Sequence, residues 1–312
     1  MSAIKTSLII AAAAGGITFA AAGVVHECVL NVKLSKQIGE KLKSGKKPAI
    51  PSVKKNHSAD DWFKNLALTD YCIYDENAKR THAYIIDSSA PTDKWVIILH
   101  GYTSDPNGVK AFAKEYHDMG FNCILPSLRG HCNDENRYCS MGYYDKFIAI
   151  AWIKHILSLN KDARIIIHGV SMGAATTMLT TGESLPDNVK AAVSDCGYAS
   201  CYEEYKYMIK NRFHIPTFPI LDATNLISIA VDKFNFKKAA PVEAVKRSKT
   251  PTLFIHGSND DFVPSFMLDE VYSACSAEKE KLLIDGAGHS ESYIVEPEKY
   301  WSTVKEFINR YL

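Results

Sequence analysis

Residues Arg164-Ile165-Ile166-Ile167-His168 form a strand-like apolar run that leads straight into Gly169-Val170-Ser171-Met172-Gly173, and the small-residue pattern Ala174-Ala175-Thr176-Thr177-Met178-Leu179 follows at once. This succession constrains the chain more than any other feature it carries. A strand that turns into a helix at one residue forces that residue into an unfavourable backbone geometry, and flanking glycines relieve the crowding. The serine hydroxyl then stands clear of the sheet, with a helix N-terminus beneath it. The bare G-x-S-x-G string is weak evidence, but its position between a strand and a helix marks Ser171 as a candidate nucleophile; the plainer reading is a buried turn serine that caps the helix.

A serine hydroxyl attacks nothing at neutral pH without a base, and the base needs an orienting carboxylate. Both have candidates downstream. Thr252-Leu253-Phe254-Ile255 reads as a strand, and His256-Gly257-Ser258-Asn259-Asp260-Asp261-Phe262-Val263-Pro264 is the loop that leaves it. Further on, Lys281-Leu282-Leu283-Ile284 reads as another strand, closed by Asp285-Gly286-Ala287-Gly288-His289-Ser290. Ser171, Asp260 and His289 thus each stand just past the end of a strand, in an order known for nucleophile, acid and base.

From about Tyr71 to the C-terminus the chain resembles the α/β-hydrolase superfamily. Within it, the chain is most similar to serine-aminopeptidase-like and monoacylglycerol-lipase-like hydrolases, including small bacterial esterases. The resemblance rests on His100-Gly101-Tyr102 after the strand Trp95-Val96-Ile97-Ile98-Leu99, on Leu128-Arg129-Gly130-His131, and on the elbow, aspartate and histidine loops. It implies a Ser171 nucleophile, a His289 general base and Asp260 as the orienting acid, since relatives place the acid three residues before the valine of a Val-Pro pair. Asp261 and Asp195, at the end of the strand Ala191-Ala192-Val193-Ser194, are the rival acids. An oxyanion hole would come from the backbone amides of Met172 and Tyr102, and the Tyr102 hydroxyl could add a third donor or line the acyl pocket. His100, His168 and His256 read as rings packed beneath the site. Relatives often carry an aspartate where this chain has Ser127, which leaves the salt bridges of that loop open.

With 312 residues, 46% of them hydrophobic, the chain is long enough for one large α/β domain and an appendage. A formal net charge of +1 gives no support for a nucleic-acid partner. No P-loop or dinucleotide fingerprint is present, and the chemistry calls for no cofactor. Short apolar strands alternate with helical patterns, which predicts a mostly parallel sheet with helices on both faces. The opening should be an antiparallel hairpin over Tyr71 to Ile86, turning at Asp75-Glu76-Asn77. Helices are expected near Val109 to Met119 and Asp145 to Leu159, with the strand Asn122-Cys123-Ile124-Leu125 between them. The alternation stops over about 197–248, a stretch rich in Tyr202, Tyr205, Tyr207, Phe213, Phe218 and Phe234 and broken by Pro216, Pro219 and Pro241. In this fold such an insertion forms a helical cap over the site.

The organisation expected is therefore residues 1–27 as a membrane anchor or signal segment, 28–65 as a lysine-rich tether, and 66–312 as the hydrolase domain. Leu8 to Val25 is apolar throughout and just long enough to span a bilayer, so a retained single-pass anchor competes with a cleaved signal ending near Ala20-Ala21-Ala22. Lys36, Lys41, Lys43, Lys46, Lys47 and Lys54 would keep the tether in the cytoplasm by the positive-inside rule, whereas Lys5 ahead of the apolar run resembles an export signal. The expected location is membrane-associated on an unspecified side, or secreted if the segment is cleaved. The eight cysteines include two close pairs, Cys132 with Cys139 and Cys196 with Cys201, but free buried thiols are the default. His131, Cys132 and Cys139 fit no zinc spacing, so no metal site is expected. The function expected is hydrolysis of an ester or related acyl bond through an acyl-enzyme, acting on a small-molecule or lipid-like substrate. A peptidase, thioesterase or acyltransferase would use the same residues, and a pseudoenzyme binding lipid or peptide under its cap is the non-catalytic alternative.

Overall fold

The central strands are apolar at nearly every position, as they must be when a parallel sheet is covered on both faces. In the computed structural model, which describes residues 16, 18–43, 57–75, 79–132, 134–211, 214 and 216–312, alternate residues of these strands feed two separate cores. Trp95, Ile97 and Leu99 of β3 (Lys94–Leu99) join Ile165 and Ile167 of β5 (Arg164–Val170) in one core; Val96, Ile98, Ile166 and Val170 enter the other. The helix Asp145–Leu159 covers the first face with Ile148, Trp152 and Ile156. The helix Pro297–Asn309 covers the second with Tyr300, Val304, Phe307 and Ile308. Their spacing is that of one buried helical stripe.

The remaining strands are β1 (Asp70–Tyr74), β2 (Arg80–Ile86), β4 (Asn122–Pro126), β6 (Val189–Asp195), β7 (Thr252–Gly257) and β8 (Lys279–Ile284). Together they make an eight-stranded sheet in the order β1-β2-β4-β3-β5-β6-β7-β8. The first two strands pair antiparallel, β2 runs antiparallel to β4, and every other pair is parallel. The turn residues Glu76 and Asn77 of the expected opening hairpin lie outside the described residues. In a parallel sheet all C-terminal strand ends emerge along one edge, where loops from β3, β5, β7 and β8 converge.

The insertion after β6 is helical, with Cys201–Asn211 and Ile220–Asp232 as its two main helices. Tyr205, Phe234 and Phe236 are buried in its packing, whereas Phe218 is exposed; Phe213 lies outside the described residues. The short helix Pro241–Val245 already belongs to the main body, because Ala244 lies directly against Gly182 at the end of the elbow helix.

The N-terminal segment expected as an anchor or signal is described only in part. Among the described residues, no helix is long and apolar enough to cross a membrane. Residues 8–15 and 17 of the apolar run lie outside the described residues, and what is described of the remainder is helical over 18–30 and packed against the cap. Ala22, His26 and Leu30, spaced four apart, are its buried face. The Thr224 hydroxyl donates to the Ala22 carbonyl at 3.3 Å, and His26 Nε2 meets Asp232 Oδ2 at 2.7 Å. Nor does a free tether begin at residue 28: Leu30 and Val32 lie in the same core as Met172, and the Cys139 amide donates to the Leu30 carbonyl at 2.9 Å. The helix His57–Lys64 is folded onto the domain as well, with Ala59 and Phe63 buried and Asp60 paired with Lys110 at 2.7 Å. None of the eight cysteines is paired.

Candidate active site

Ser171 sits where β5 turns into the helix Met172–Thr181, at φ 58° and ψ −117°, a strained conformation for a residue with a side chain. The glycines around it are required by contact. A Cβ on Gly169 would come within 2.0 Å of the Gly173 carbonyl oxygen, and one on Gly173 within 2.0 Å of the Leu99 carbonyl oxygen. The elbow is therefore wedged against the end of β3 with no room for a methyl group on either side.

His289, on the loop after β8, bridges two partners. The Ser171 hydroxyl lies 2.8 Å from its Nε2, and its Nδ1 lies 2.7 Å from Asp260 Oδ2. The neutral ring that fits both carries its proton on Nδ1, donating to the carboxylate and leaving Nε2 to accept from the serine. The other carboxylate oxygen of Asp260 accepts from the amides of Phe262 and Val263 at 3.0 and 2.8 Å. Burial by itself would push the Asp260 carboxyl up; hydrogen bonds from His256 and His289 outweigh it and hold the pKa at about 2. The rivals are elsewhere. Asp261 is exposed, and Asp195 is buried with Oδ2 accepting from the Tyr300 hydroxyl at 2.8 Å and its pKa pushed up to about 6 by burial.

Two segments of chain flank the serine. Met172 is the first residue of the elbow helix, so its N–H has no carbonyl one turn earlier to bond. The loop after β3 lies against Ser171 so closely that a Cβ on Gly101 would stand 3.3 Å from the Ser171 Cβ and 3.8 Å from its Oγ. Tyr102 follows directly. Its hydroxyl donates to the Val29 carbonyl at 2.8 Å, which commits that proton to the N-terminal segment rather than to an oxyanion.

Two histidines hold this loop. His100 Nδ1–H donates to the Gly101 carbonyl at 2.9 Å, and its Nε2 accepts from the Leu128 amide at 3.1 Å. His131 Nδ1–H donates to the Arg129 carbonyl at 2.9 Å, and its Nε2 accepts from the Thr103 amide at 3.1 Å. Burial drives the His100 pKa down to about 3 and lowers that of His131. Both rings are thus neutral braces, and His131 has no nitrogen left for a metal. The carboxylate that this loop needs comes from Asp145, which accepts from the Arg129 amide at 2.7 Å and from Ser140 at 2.8 Å. His168 packs beneath the site as expected, its ring between the hydroxyls of Tyr116 and Tyr300 at 3.0 and 3.2 Å.

Two groups escaped sequence reasoning. His256, assigned only to packing, brings its Nε2 within 3.2 Å of Asp260 Oδ2 and 2.9 Å of the Val263 carbonyl. Its position four residues before Asp260 was the available signal. Glu204, in the first cap helix, is 3% exposed and neither carboxylate oxygen has a hydrogen-bond partner. Burial, reinforced by the negative charge of Asp260, raises its pKa to about 8. Nothing in the helical pattern around Glu203 and Glu204 distinguished the buried one from its exposed neighbour. Among the described residues, Cys196, Asp260 and His289 hold ligand-type atoms within 4.8 Å of one another. Both His289 nitrogens are already engaged by Ser171 and Asp260, and the Cys196 thiol lies 3.2 Å from the Ser290 hydroxyl, so all three have hydrogen-bonding partners in place of an ion.

A nucleophile elbow, a histidine and a buried acid at the C-terminal edge of this sheet order meet a match to the family described as alpha/beta hydrolase fold over residues 94–219. That match and the sheet order give the chain the α/β-hydrolase fold. It is 25% identical over 261 residues to the uncharacterized protein YqkD of Bacillus subtilis, covering 81% of this chain and 83% of that one. Among solved structures, the chain superposes on the Pyrococcus furiosus esterase Pf2001 with a TM-score of 0.63 at 23% identity, covering 78% of this chain and 92% of the esterase. It also superposes on the Pyrococcus horikoshii acylaminoacyl peptidase with a TM-score of 0.59 at 19% identity, covering 81% of this chain and 43% of the peptidase.

Proposed function

We propose that the protein is a serine hydrolase that cleaves an ester or related acyl bond through an acyl-enzyme. The observation that carries this reading is the unbroken hydrogen-bonded chain Ser171–His289–Asp260, with distances of 2.8 and 2.7 Å. As Ser171 Oγ attacks the acyl carbon, its proton passes to His289 Nε2, and Asp260 stabilises the imidazolium that forms. The carbonyl oxygen, now anionic, is met by the Met172 and Tyr102 amides, each such donor being worth about 3 kcal/mol of barrier in comparable sites. His289 then returns the proton to the leaving group. Water, deprotonated by the same ring, releases the acid and restores Ser171.

The serine-aminopeptidase-like and monoacylglycerol-lipase-like kinship belongs to this proposal, and so does the preference for an ester over a peptide or thioester. The solved neighbours include an esterase and an acylaminoacyl peptidase, and the same hydrogen-bonded chain serves either chemistry. The test is covalent labelling by a fluorophosphonate probe together with turnover of short and long acyl esters, acyl thioesters and aminoacyl amides. Labelling of the wild type but not of Ser171→Ala is expected, with the highest kcat/KM on an ester. Absence of labelling would favour a lipid- or peptide-binding pseudoenzyme, and faster turnover of amides would make the protein a peptidase.

A further inference from the structure

His100 and His131 each engage both ring nitrogens with the main chain, whereas His256 engages only one. Its ring is 1% exposed near the end of β7, and Nδ1 is buried with no hydrogen-bond partner among the described residues. All of its bonding is at Nε2, which lies 2.9 Å from the Val263 carbonyl and 3.2 Å from Asp260 Oδ2. A carbonyl and an ionised carboxylate only accept, so Nε2 carries a proton and its N–H is shared between them.

That one N–H holds the acid loop at two points. Val263 donates its amide to Asp260 Oδ1 at 2.8 Å while its carbonyl takes the His256 proton. With the Phe262 amide at 3.0 Å and His289 Nδ1 at 2.7 Å, each oxygen of Asp260 has two donors, which fills the lone-pair directions of a carboxylate. The frame around it is fixed. The amides of Ser258 and Asn259 donate to the Ile284 and Ala287 carbonyls at 2.9 Å each, tying the acid loop to the end of β8 and the base loop. Within that frame both imidazoles meet on one oxygen, Oδ2. The more of its charge His256 takes, the less Asp260 has for the imidazolium that forms on His289 during acyl transfer.

Burial disfavours a charge on His256, but its bonds to Asp260 and Val263 and the negative charges of Asp260 and Asp195 outweigh this and raise its pKa above the ordinary value. A positive ring there opposes the His289 imidazolium in the same sense as the shared bond does. The other titratable groups around Asp260 are Asp195 and Cys196 at the end of β6 and Glu204 of the cap, and they stay in place in any variant of His256.

We propose that His256 is a positioning residue for the acid: its shared Nε2–H holds Asp260 in line with His289 and tempers the carboxylate's pull on the imidazolium, which sets the pH range in which Ser171 is activated. This inference rests on the serine-hydrolase reading of the site.

The rate of fluorophosphonate labelling against pH, together with turnover of p-nitrophenyl acetate per labelled site, tests it in wild type, H256F and H256Q. Phe keeps a buried ring but has no donor, and Gln carries an N–H at a reach similar to that of Nε2. In H256F the acid limb of both profiles should move up by about one pH unit. Its kcat should fall about tenfold with KM unchanged, because His256 touches the acid loop and not the substrate. H256Q should recover most of kcat and bring the limb back toward the wild-type position. An H256F limb that stays in place or moves down, in protein that still labels, would overturn the proposal and leave His256 as packing. A wild type that does not label would remove the serine-hydrolase reading, and the proposal with it. NMR of isotope-labelled histidine nitrogens in the wild type decides the matter even where H256F does not fold: a His256 with its proton on Nδ1 and none on Nε2 would overturn the shared bond.

Discussion

Replacing Glu204 by Gln should flatten the dependence of stability on pH between about 4.5 and 8, and the size of the effect follows from its surroundings. The carboxyl is 3% exposed, neither oxygen has a partner, and Asp260 adds a negative charge nearby. A carboxyl ordinarily titrating at 4.5 is thereby raised to about 8. The folded state thus holds a proton that the unfolded state has released. Because the folded pKa is the raised one, the protonated carboxyl is fully compatible with folding below about pH 4.5, and stability falls as pH rises toward and through 8. Each tenfold difference in proton affinity is about 1.4 kcal/mol. The loss between pH 5 and 9 therefore approaches about 4 kcal/mol, roughly 10 °C in Tm for a chain of this size. Gln cannot ionise, so E204Q should lack this fall. It keeps a buried amide in the same place, at a cost of about 1–3 kcal/mol that does not vary with pH. Urea unfolding of wild type and variant from pH 5 to 9 measures the difference directly, since every other titrating group cancels. The two stabilities should converge or cross as pH rises. Parallel curves would refute the reasoning and mean that Glu204 is solvated or paired.

Three further outcomes bear on the site. Asp260→Asn should lower turnover by about 10⁴-fold by holding His289 in the wrong tautomer, whereas Asp261→Asn, in solvent, and Asp195→Asn, bonded to Tyr300, should each stay within about tenfold of wild type; the reverse ranking in steady-state kinetics would move the acid. Because its carboxyl titrates at about 2 in the fold rather than 3.8, Asp260 contributes stability that is present above pH 4 and lost as pH falls through 2, so the Asn variant should show a weaker acid transition in a circular-dichroism titration. Tyr102→Phe should leave kcat nearly unchanged, since its hydroxyl is committed to Val29, while costing about 1 kcal/mol through the orphaned Val29 carbonyl; a hundredfold loss of kcat would restore a catalytic hydroxyl. Gly173→Ala should prevent folding or shift β3, because its methyl group would meet the Leu99 carbonyl at 2.0 Å, and a well-folded, active variant by thermal melt and ester assay would contradict the wedged elbow.

Much of this protein is determined by local sequence. Apolar strands such as Lys94–Leu99 and Arg164–Val170, and helices such as Asp145–Leu159, are readable because burial on two sheet faces, or along one helix stripe, leaves a period in the residues themselves. The elbow is readable for a similar reason: glycines two residues either side of Ser171 are a local answer to a local crowding. What the tertiary structure alone decided are the pairings between residues distant in the chain. Which acid meets His289 depends on how loops 29 residues apart are brought together, and it is Asp260 that reaches Nδ1 while Asp195 is bonded by Tyr300 of the last helix. Whether a histidine is brace, base or support for the acid depends on which carbonyl or amide faces each nitrogen, which separates His100 and His131 from His256. The N-terminal segment is the plainest case. Ala22, His26 and Leu30 have the composition of an apolar run ending in a tether, yet they lie on a domain whose cap offers Thr224 and Asp232 some two hundred residues later. A hydropathy pattern records that a surface will leave water; only the folded partner decides whether lipid or protein receives it.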